Sequence, residues 1–138
     1  MNQIEKIIDI ATWNRREHYE HFSAFDDPFF GVTVQVDCTR TYQEAKAKGI
    51  SFSLLVLHRI TTAAAAVEEA TTGLNKGGTF HPNAIHYSAV PWLSFTDMKH
   101  PTNMRSGDSV PKISTGKYFR NGERLMMPVS VTCHHGLM

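Results

Sequence analysis

The sequence predicts a mixed α/β (α+β) fold, a mixed β-sheet covered by helices. Three observations predict it. An apolar residue recurs at every second position over 30–37, which is typical of a strand. Helix-like stretches follow that strand without strict strand–helix alternation. An Asn-Gly pair at 121–122 separates two later strand-like runs, which is a strong hairpin signal. With 138 residues, we expect one domain over 1–138.

Composition excludes several classes of protein. The chain is 41% hydrophobic and 20% charged, which is typical of a soluble globular domain. Its net charge of +1 and the lack of a long basic run give no reason to expect a nucleic-acid partner. No apolar run is long enough to span a membrane, and no secretory leader is visible. We therefore expect a cytoplasmic protein with no membrane partner. Cys38 and Cys133 are too few and too far apart for a disulfide framework or a structural zinc site.

The first predicted helix covers residues 13–22, with Thr12 as its cap. Arg15, Tyr19 and Phe22 recur at helical spacing and so share one face. A guanidinium in line with two aromatic rings indicates a partly buried arginine. Such a group requires a hydrogen-bond acceptor inside the protein.

Residues 30–37 predict a half-buried strand with one apolar face, formed by Phe30, Val32, Val34 and Val36. A helix should follow, opened by a capping box of Thr41 and Glu44 and stopped by Gly49. A longer helix should begin at Ser51 or Ser53.

The second half of the chain predicts a loop and then strands. Residues 70–80 contain three glycines and no period, which is typical of a loop. Strands are expected at 83–90 and 92–95, separated by Pro91, and then at 113–119 and 124–133 around the Asn-Gly turn.

The chain closes on VTCHHGLM, with His134 and His135 adjacent. Neighbouring strand residues point to opposite faces, so the two imidazoles are poorly placed to bind one metal ion. On pattern alone, the simplest interpretation is that both merely end a strand. Ser88 and Ser114 could likewise be ordinary strand or loop serines. The chain contains no Gly-x-Ser-x-Gly elbow, phosphate loop or dinucleotide fingerprint.

Several segments together resemble the chloramphenicol acetyltransferase family, in the order that family has them. They are WNRREHYEHF, TVQVD, SFSLLVLHRI, SAVPWLSFT, STGKYFRNGERLMMPVSV and the closing HHG. The resemblance implies a two-layer sandwich and an acetyl-CoA-dependent O-acetyltransferase that uses no metal. The implied acceptor is a hydroxyl of chloramphenicol or a similar small molecule. A homotrimer is also implied, in which one subunit contributes the catalytic histidine and its neighbour much of the acceptor pocket.

The resemblance assigns roles to individual residues. His135 is implied to be the general base, its tautomer held by a backbone carbonyl, and Ser88 the donor to the oxyanion. Arg15 is implied to be structural, paired with a motif aspartate that would follow Met138. The acceptor pocket is implied to include Phe22, Phe30, Met98 and Ser114, with Ser114 in place of a threonine that helps to hold a water.

Two further points stay open at the level of sequence. The family has an internal block near residues 69–74, and a tail, that this sequence lacks, so a catalytically silent binding or trimer-forming relative is the alternative function. We expect direct transfer in a ternary complex. The competing mechanism is a covalent one in which Cys133 pairs with His135.

Overall fold

The structure is a computed structural model that describes residues 9–67, 85–103 and 108–138. These ranges contain a mixed sheet and three helices, as predicted. In chain order the elements are α1 (Arg16–Ser23), β1 (Phe29–Asp37), α2 (Thr39–Lys48), α3 (Phe52–Ala65), β2 (His86–Val90), β3 (Lys112–Gly116), β4 (Phe119–Asn121) and β5 (Arg124–His134).

The strands form one mixed sheet in the order β1-β5-β3-β2, with β4 paired to one end of β5. β2 and β3 are parallel, whereas β5 runs antiparallel to β1, β3 and β4. The longest strand, β5, therefore lies inside the sheet. The histidine pair at its end has β1 on one side.

One side of the sheet, which we call the helix face, carries the apolar core. Leu125 and Met127 of β5 pack there with Val56 of α3 and with Cys38, which precedes α2. Partly buried side chains complete the cluster: Tyr42, Phe52, Ile60 and Val129. Removing these apolar groups from water stabilises the layer of helices on the sheet.

The other side, which we call the polar face, is lined by hydroxyl groups. Directly paired strand residues project to the same face, and one row of pairs crosses the sheet through Ser88, Ser114, Ser130 and Thr33. Ser114 and Ser130 are almost fully buried. Residues 91–103 cover this face, where the hydroxyl of Ser130 donates to the Met98 carbonyl.

The Asn-Gly turn is confirmed. β4 and β5 pair antiparallel, with Asn121 opposite Arg124, and Gly122 has a φ of 61°. That left-handed conformation favours glycine, which has no Cβ to clash with the backbone. β5 ends at His134, so His135 lies directly beyond the strand, as predicted.

The two short helices begin elsewhere than predicted. α1 starts at Arg16, because the Thr12 hydroxyl donates to Asp9 and caps no helix. α2 starts at Thr39, whose N–H donates to the carboxylate of Asp37, so the predicted capping box is wrong.

The predicted end of α2 and start of α3 are confirmed. Gly49 follows α2 with a φ of 63°, and the Ser51 hydroxyl accepts the N–H of Leu54 to cap α3. Glu44, which the capping box would have used, instead pairs with Lys48 and with Arg59 of α3.

The apolar face of β1 is less buried than predicted. The strand is present, but its apolar side chains are exposed, from 38% at Phe30 to 52% at Val32. The reason is position: β1 is an edge strand, and the core cluster of the described residues draws on β5, α2 and α3.

Residues 92–95 form no strand, because the chain turns at Pro91 and then runs irregularly over the polar face. The predicted loop at 70–80, and the missing block near 69–74, lie outside the described residues.

Candidate active site

His135 is held by its main chain on both sides. Its N–H donates to the Pro28 carbonyl at 2.8 Å, where the chain enters β1. Its own carbonyl accepts Nε2–H of His18, on α1, at 2.9 Å. A central strand, an edge strand and a helix thus fix one backbone position.

The ring of His135 is held by aromatic contacts. Phe22 of α1 stacks on it, with centroids 3.9 Å apart and planes 15° apart, and Phe30 lies at 5.0 Å. Nδ1 is buried and finds no hydrogen-bond partner among the described residues, while the residue as a whole is partly exposed. The backbone carbonyl implied by the family resemblance is therefore not engaged at Nδ1 within these ranges.

His134 points the other way and is structural. Its Nδ1 accepts the N–H of Gly136 at 3.1 Å, which closes the turn after β5, and its ring lies against Tyr19 and Phe29. The two adjacent imidazoles thus occupy separate environments, as expected. No cluster of three or more histidine, cysteine, aspartate or glutamate side chains suited to a metal ion occurs in the described ranges.

Arg15 is partly buried and has internal acceptors, as the sequence predicted. Its guanidinium donates to the carbonyl of Leu137 at 3.4 Å and to that of Met138. Tyr19 of α1, four residues after Arg15, is buried. Arg15 therefore ties the first helix to the segment that follows the two histidines.

Ser88 and Ser114 face each other on parallel strands but have different surroundings. Ser88 is exposed, whereas Ser114 is 2% exposed and its hydroxyl lies 2.7 Å from Nε2 of His100. The Ser114 hydroxyl thus has a protein partner inside the sheet face. The other nitrogen of His100, Nδ1, lies 2.8 Å from the hydroxyl of Thr132.

His100 was not predicted from the sequence. It sits in an irregular polar stretch with no periodicity, so only the tertiary contact with two hydroxyls identifies it. Burial, assisted by the nearby Lys112 ammonium, lowers the pKa of His100. A neutral imidazole can donate one hydrogen bond and accept another, which suits two hydroxyl partners.

A cleft of about 260 Å³ opens over the polar face. Two residues implied to line an acceptor pocket, Phe30 and Met98, do line this cleft, whereas Phe22 packs against His135 instead. The remaining wall is formed by Asp27, Phe29, Gly31, Asp97, Lys99, His100, Thr102 and Thr132.

Within one chain the implied base and oxyanion donor lie apart. Ser88 is level with Ser130 but two strands away, and His135 lies five residues beyond Ser130. With ~4.8 Å between strands and ~3.3 Å per residue, this separation is roughly 19 Å.

Cys133 is a poor candidate nucleophile in this setting. It is 4% exposed, and burial raises the pKa of its thiol. Because the thiolate is the reactive form, a raised pKa lowers its reactivity. Both cysteines are free.

Comparison with known proteins decides the family. The family model described as chloramphenicol acetyltransferase matches residues 4–77 and 65–138. The chain belongs to the chloramphenicol acetyltransferase family. At the level of the family, this supports an acyltransferase with acetyl-CoA as its co-substrate.

Members of the family are distant in sequence but close in fold. A chloramphenicol acetyltransferase of Clostridium perfringens is 21% identical over 188 aligned positions, covering 95% of this chain and 86% of the relative. One from Streptomyces acrimycini is 24% identical, covering 93% and 84%. A solved chloramphenicol acetyltransferase structure matches with a TM-score of 0.88 and 28% identity, covering 100% of this chain and 91% of its own.

In the described part of the chain, the helices are all too short or too polar to cross a membrane.

Proposed function

We propose that this chain transfers the acetyl group of acetyl-CoA to a hydroxyl of chloramphenicol or of a similar small molecule. The observation that carries the proposal is the fixation of His135. Its main chain is bonded on both sides, its ring is stacked on Phe22, and the residue stays partly exposed. An imidazole held in this way is suited to take a proton repeatedly from the same direction.

The chemistry requires two groups from the protein. A base must take the proton of the acceptor hydroxyl, and a hydrogen-bond donor must stabilise the oxyanion that forms at the acyl carbon. Acetyl-CoA supplies the activated acyl group. We assign the base to His135 and the oxyanion donor to Ser88, whose hydroxyl is exposed on β2.

We favour direct transfer in a ternary complex over an acetyl-enzyme. The buried, protonated Cys133 is the nearest candidate nucleophile to His135 in sequence, and its raised pKa argues against a covalent step.

We further propose a homotrimer with active sites between subunits. The support is the separation within one chain: Ser88 and His135, roughly 19 Å apart, cannot both touch one reacting carbonyl. A second copy that brings its His135 close to Ser88 would complete the site. The exposed apolar side chains of β1 are consistent with a surface that associates.

Residues 1–138 are proposed to be a single acetyltransferase domain without the internal block that the family has near 69–74. The support comes from the alignments, which run over 188 positions where this chain has 138 residues. Arg15 reaches the backbone oxygens of Leu137 and Met138, which is consistent with a structural role beside the histidine pair.

One observation favours a second candidate, a catalytically silent binding or trimer-forming relative. A base that accepts at Nε2 must carry its proton on Nδ1, and Nδ1 of His135 is buried without an acceptor among the described residues. An unpaired N–H costs ~1–3 kcal/mol, which disfavours the reactive tautomer.

The deciding experiment is to incubate the protein with acetyl-CoA and chloramphenicol and to follow release of the free thiol. Mass spectrometry then checks for the acetyl ester. If the protein is an active acetyltransferase, thiol release should depend on the acceptor and should disappear in His135→Ala. The silent alternative predicts binding of chloramphenicol with no thiol release above the background hydrolysis.

A further inference from the structure

His100, Thr132 and Ser114 form a buried chain of hydrogen bonds under the cleft. His100 is 9% exposed and Thr132 6% exposed, and both line the cleft, while Ser114 lies behind them. The imidazole bridges the two hydroxyls, at 2.7 Å to Ser114 and 2.8 Å to Thr132. None of the residues that hold His135 takes part in this network; those residues are His18, Phe22, Pro28 and Phe30.

The tautomer of His100 decides whether the Thr132 hydroxyl donates to a ligand or accepts from it. If Nδ1 of His100 carries the proton, it donates to Thr132, whose own proton is then free to donate into the cleft. If Nε2 carries the proton, Thr132 donates to Nδ1, and its remaining lone pair can accept from a ligand. In either tautomer, one hydrogen-bonding position stays available at the floor of the cleft.

Gly31 keeps that position accessible. It lies opposite Thr132 in the β1–β5 ladder, and a Cβ at residue 31 would stand 3.1 Å from the Thr132 hydroxyl oxygen. The absence of a side chain leaves space above the hydroxyl. Of the β1 residues, Gly31 and its neighbours Phe29 and Phe30 line the cleft.

We propose that Thr132, positioned by His100, determines the specificity of the cleft, which takes an acceptor carrying a hydrogen-bonding group and discriminates against one that is apolar at that point. The proposal rests on the proposed function, since it names the class of acceptor that the transferase uses. A ligand with an apolar end would leave the remaining hydrogen-bonding position of the hydroxyl buried and unfilled, whereas a carboxamide can fill it in either tautomer.

The test compares two alcohols of matching shape. 4-(Hydroxymethyl)benzamide and 4-isopropylbenzyl alcohol differ in a carboxamide against an isopropyl group of similar size. Binding is measured by NMR titration without acetyl-CoA, so the result does not depend on turnover. We expect the unmodified protein to bind the carboxamide about 10- to 100-fold more tightly, the range expected when one buried hydrogen-bonding group loses its partner.

Thr132→Val should remove that preference, because it replaces the hydroxyl with a methyl group of similar size, and it should lower the ratio of the two affinities to about threefold or less. His100→Leu removes the protein partner of the hydroxyl but leaves the hydroxyl itself at the cleft, so the carboxamide should still bind more tightly than the isopropyl compound. The matched control is Thr115→Val, which deletes a buried hydroxyl of the same sheet that bonds to Tyr87 on the other face; the ratio should stay as in the unmodified protein.

Circular dichroism melting shows which variants are folded, and if His100→Leu is not, Thr132→Val decides alone. Equal binding of the two alcohols by the unmodified protein overturns the proposal. A preference that persists in the folded Thr132→Val protein also overturns it. Failure of acetyl transfer with an intact binding preference would remove the proposed function and leave the specificity of the cleft standing.

Discussion

At the scale of single residues, the environment of each candidate group indicates its part in the chemistry. His135 is fixed and partly exposed, Ser88 is exposed, and Cys133 is buried. We therefore expect His135→Ala to abolish acetyl transfer. Ser88→Ala should lower turnover by roughly 10²–10³, with little change in substrate binding, because the lost hydrogen bond acts on the oxyanion. Steady-state kinetics by thiol release measure both effects.

Cys133→Ala separates the direct mechanism from the covalent one. Direct transfer predicts nearly unchanged turnover, since the thiol takes no part. If this variant is inactive while folded, or if acetyl-CoA alone labels the thiol as seen by mass spectrometry, the direct mechanism is wrong.

Arg15 should matter for stability rather than for chemistry. Arg15→Ala removes the donors to the carbonyls of Leu137 and Met138 and should lower the free energy of unfolding by ~1–3 kcal/mol. Arg16→Ala is the matched control, because its ion pair with Glu20 is about half exposed and should contribute little to stability. Urea titration of both variants measures the difference. Equal stability of the two would contradict a structural role for Arg15.

His100 should make stability depend on pH. Burial lowers its pKa in the folded protein, so the unfolded chain binds a proton there at a higher pH than the folded chain does. Its contribution is present above the ordinary histidine pKa, near 6.5, and is lost as pH falls below that value. Unfolding free energies at about pH 5 and pH 7.5 should therefore differ less in His100→Gln than in the unmodified protein. An unchanged difference in the variant would count against this effect.

At the scale of elements, the site depends on how closely α1 approaches the end of β5. A Cβ at Gly136 would lie 3.1 Å from the Cα of Tyr19 and 3.1 Å from the His134 ring. Gly136→Ala should therefore push α1 outward, cost ~1–3 kcal/mol of stability, and loosen the contacts of His18 and Phe22 with His135. Gly122→Ala is a useful contrast: apart from its chain neighbours, no atom of the described residues lies within 4 Å of its added Cβ, so its cost arises from the positive φ and activity should persist.

At the scale of the whole molecule, sites shared between subunits predict complementation. Mixing unfolded His135→Ala and Ser88→Ala chains and refolding them together should restore activity, because a neighbour can supply the missing group. About a quarter of the interfaces in a randomly mixed trimer would hold both residues. Light scattering should give the mass of three chains. A monomeric mass, or a refolded mixture no more active than its separate components, would contradict shared sites.

The sequence by itself determined the local features of this protein. The period of apolar residues placed β1, and Gly49, Ser51 and Asn121–Gly122 marked ends and turns, because each acts through its own backbone. The alternation of strand side chains likewise predicted that His134 and His135 face different surroundings. The sequence motifs also predicted the chloramphenicol acetyltransferase family, and the match to the family model confirms that prediction.

Only the tertiary structure decided the contacts between distant segments. It left the apolar face of β1 exposed, brought His100 onto Ser114 and Thr132, and kept Ser88 far from His135. The capping box predicted for α2 does not form. Instead, the Asp37 carboxylate, at the end of β1, accepts the N–H of Thr39, so the helix begins at Thr39. Burial and partner choice depend on which segments pack together. That choice is settled by the free energy of the whole assembly of elements and not by the pattern within one of them.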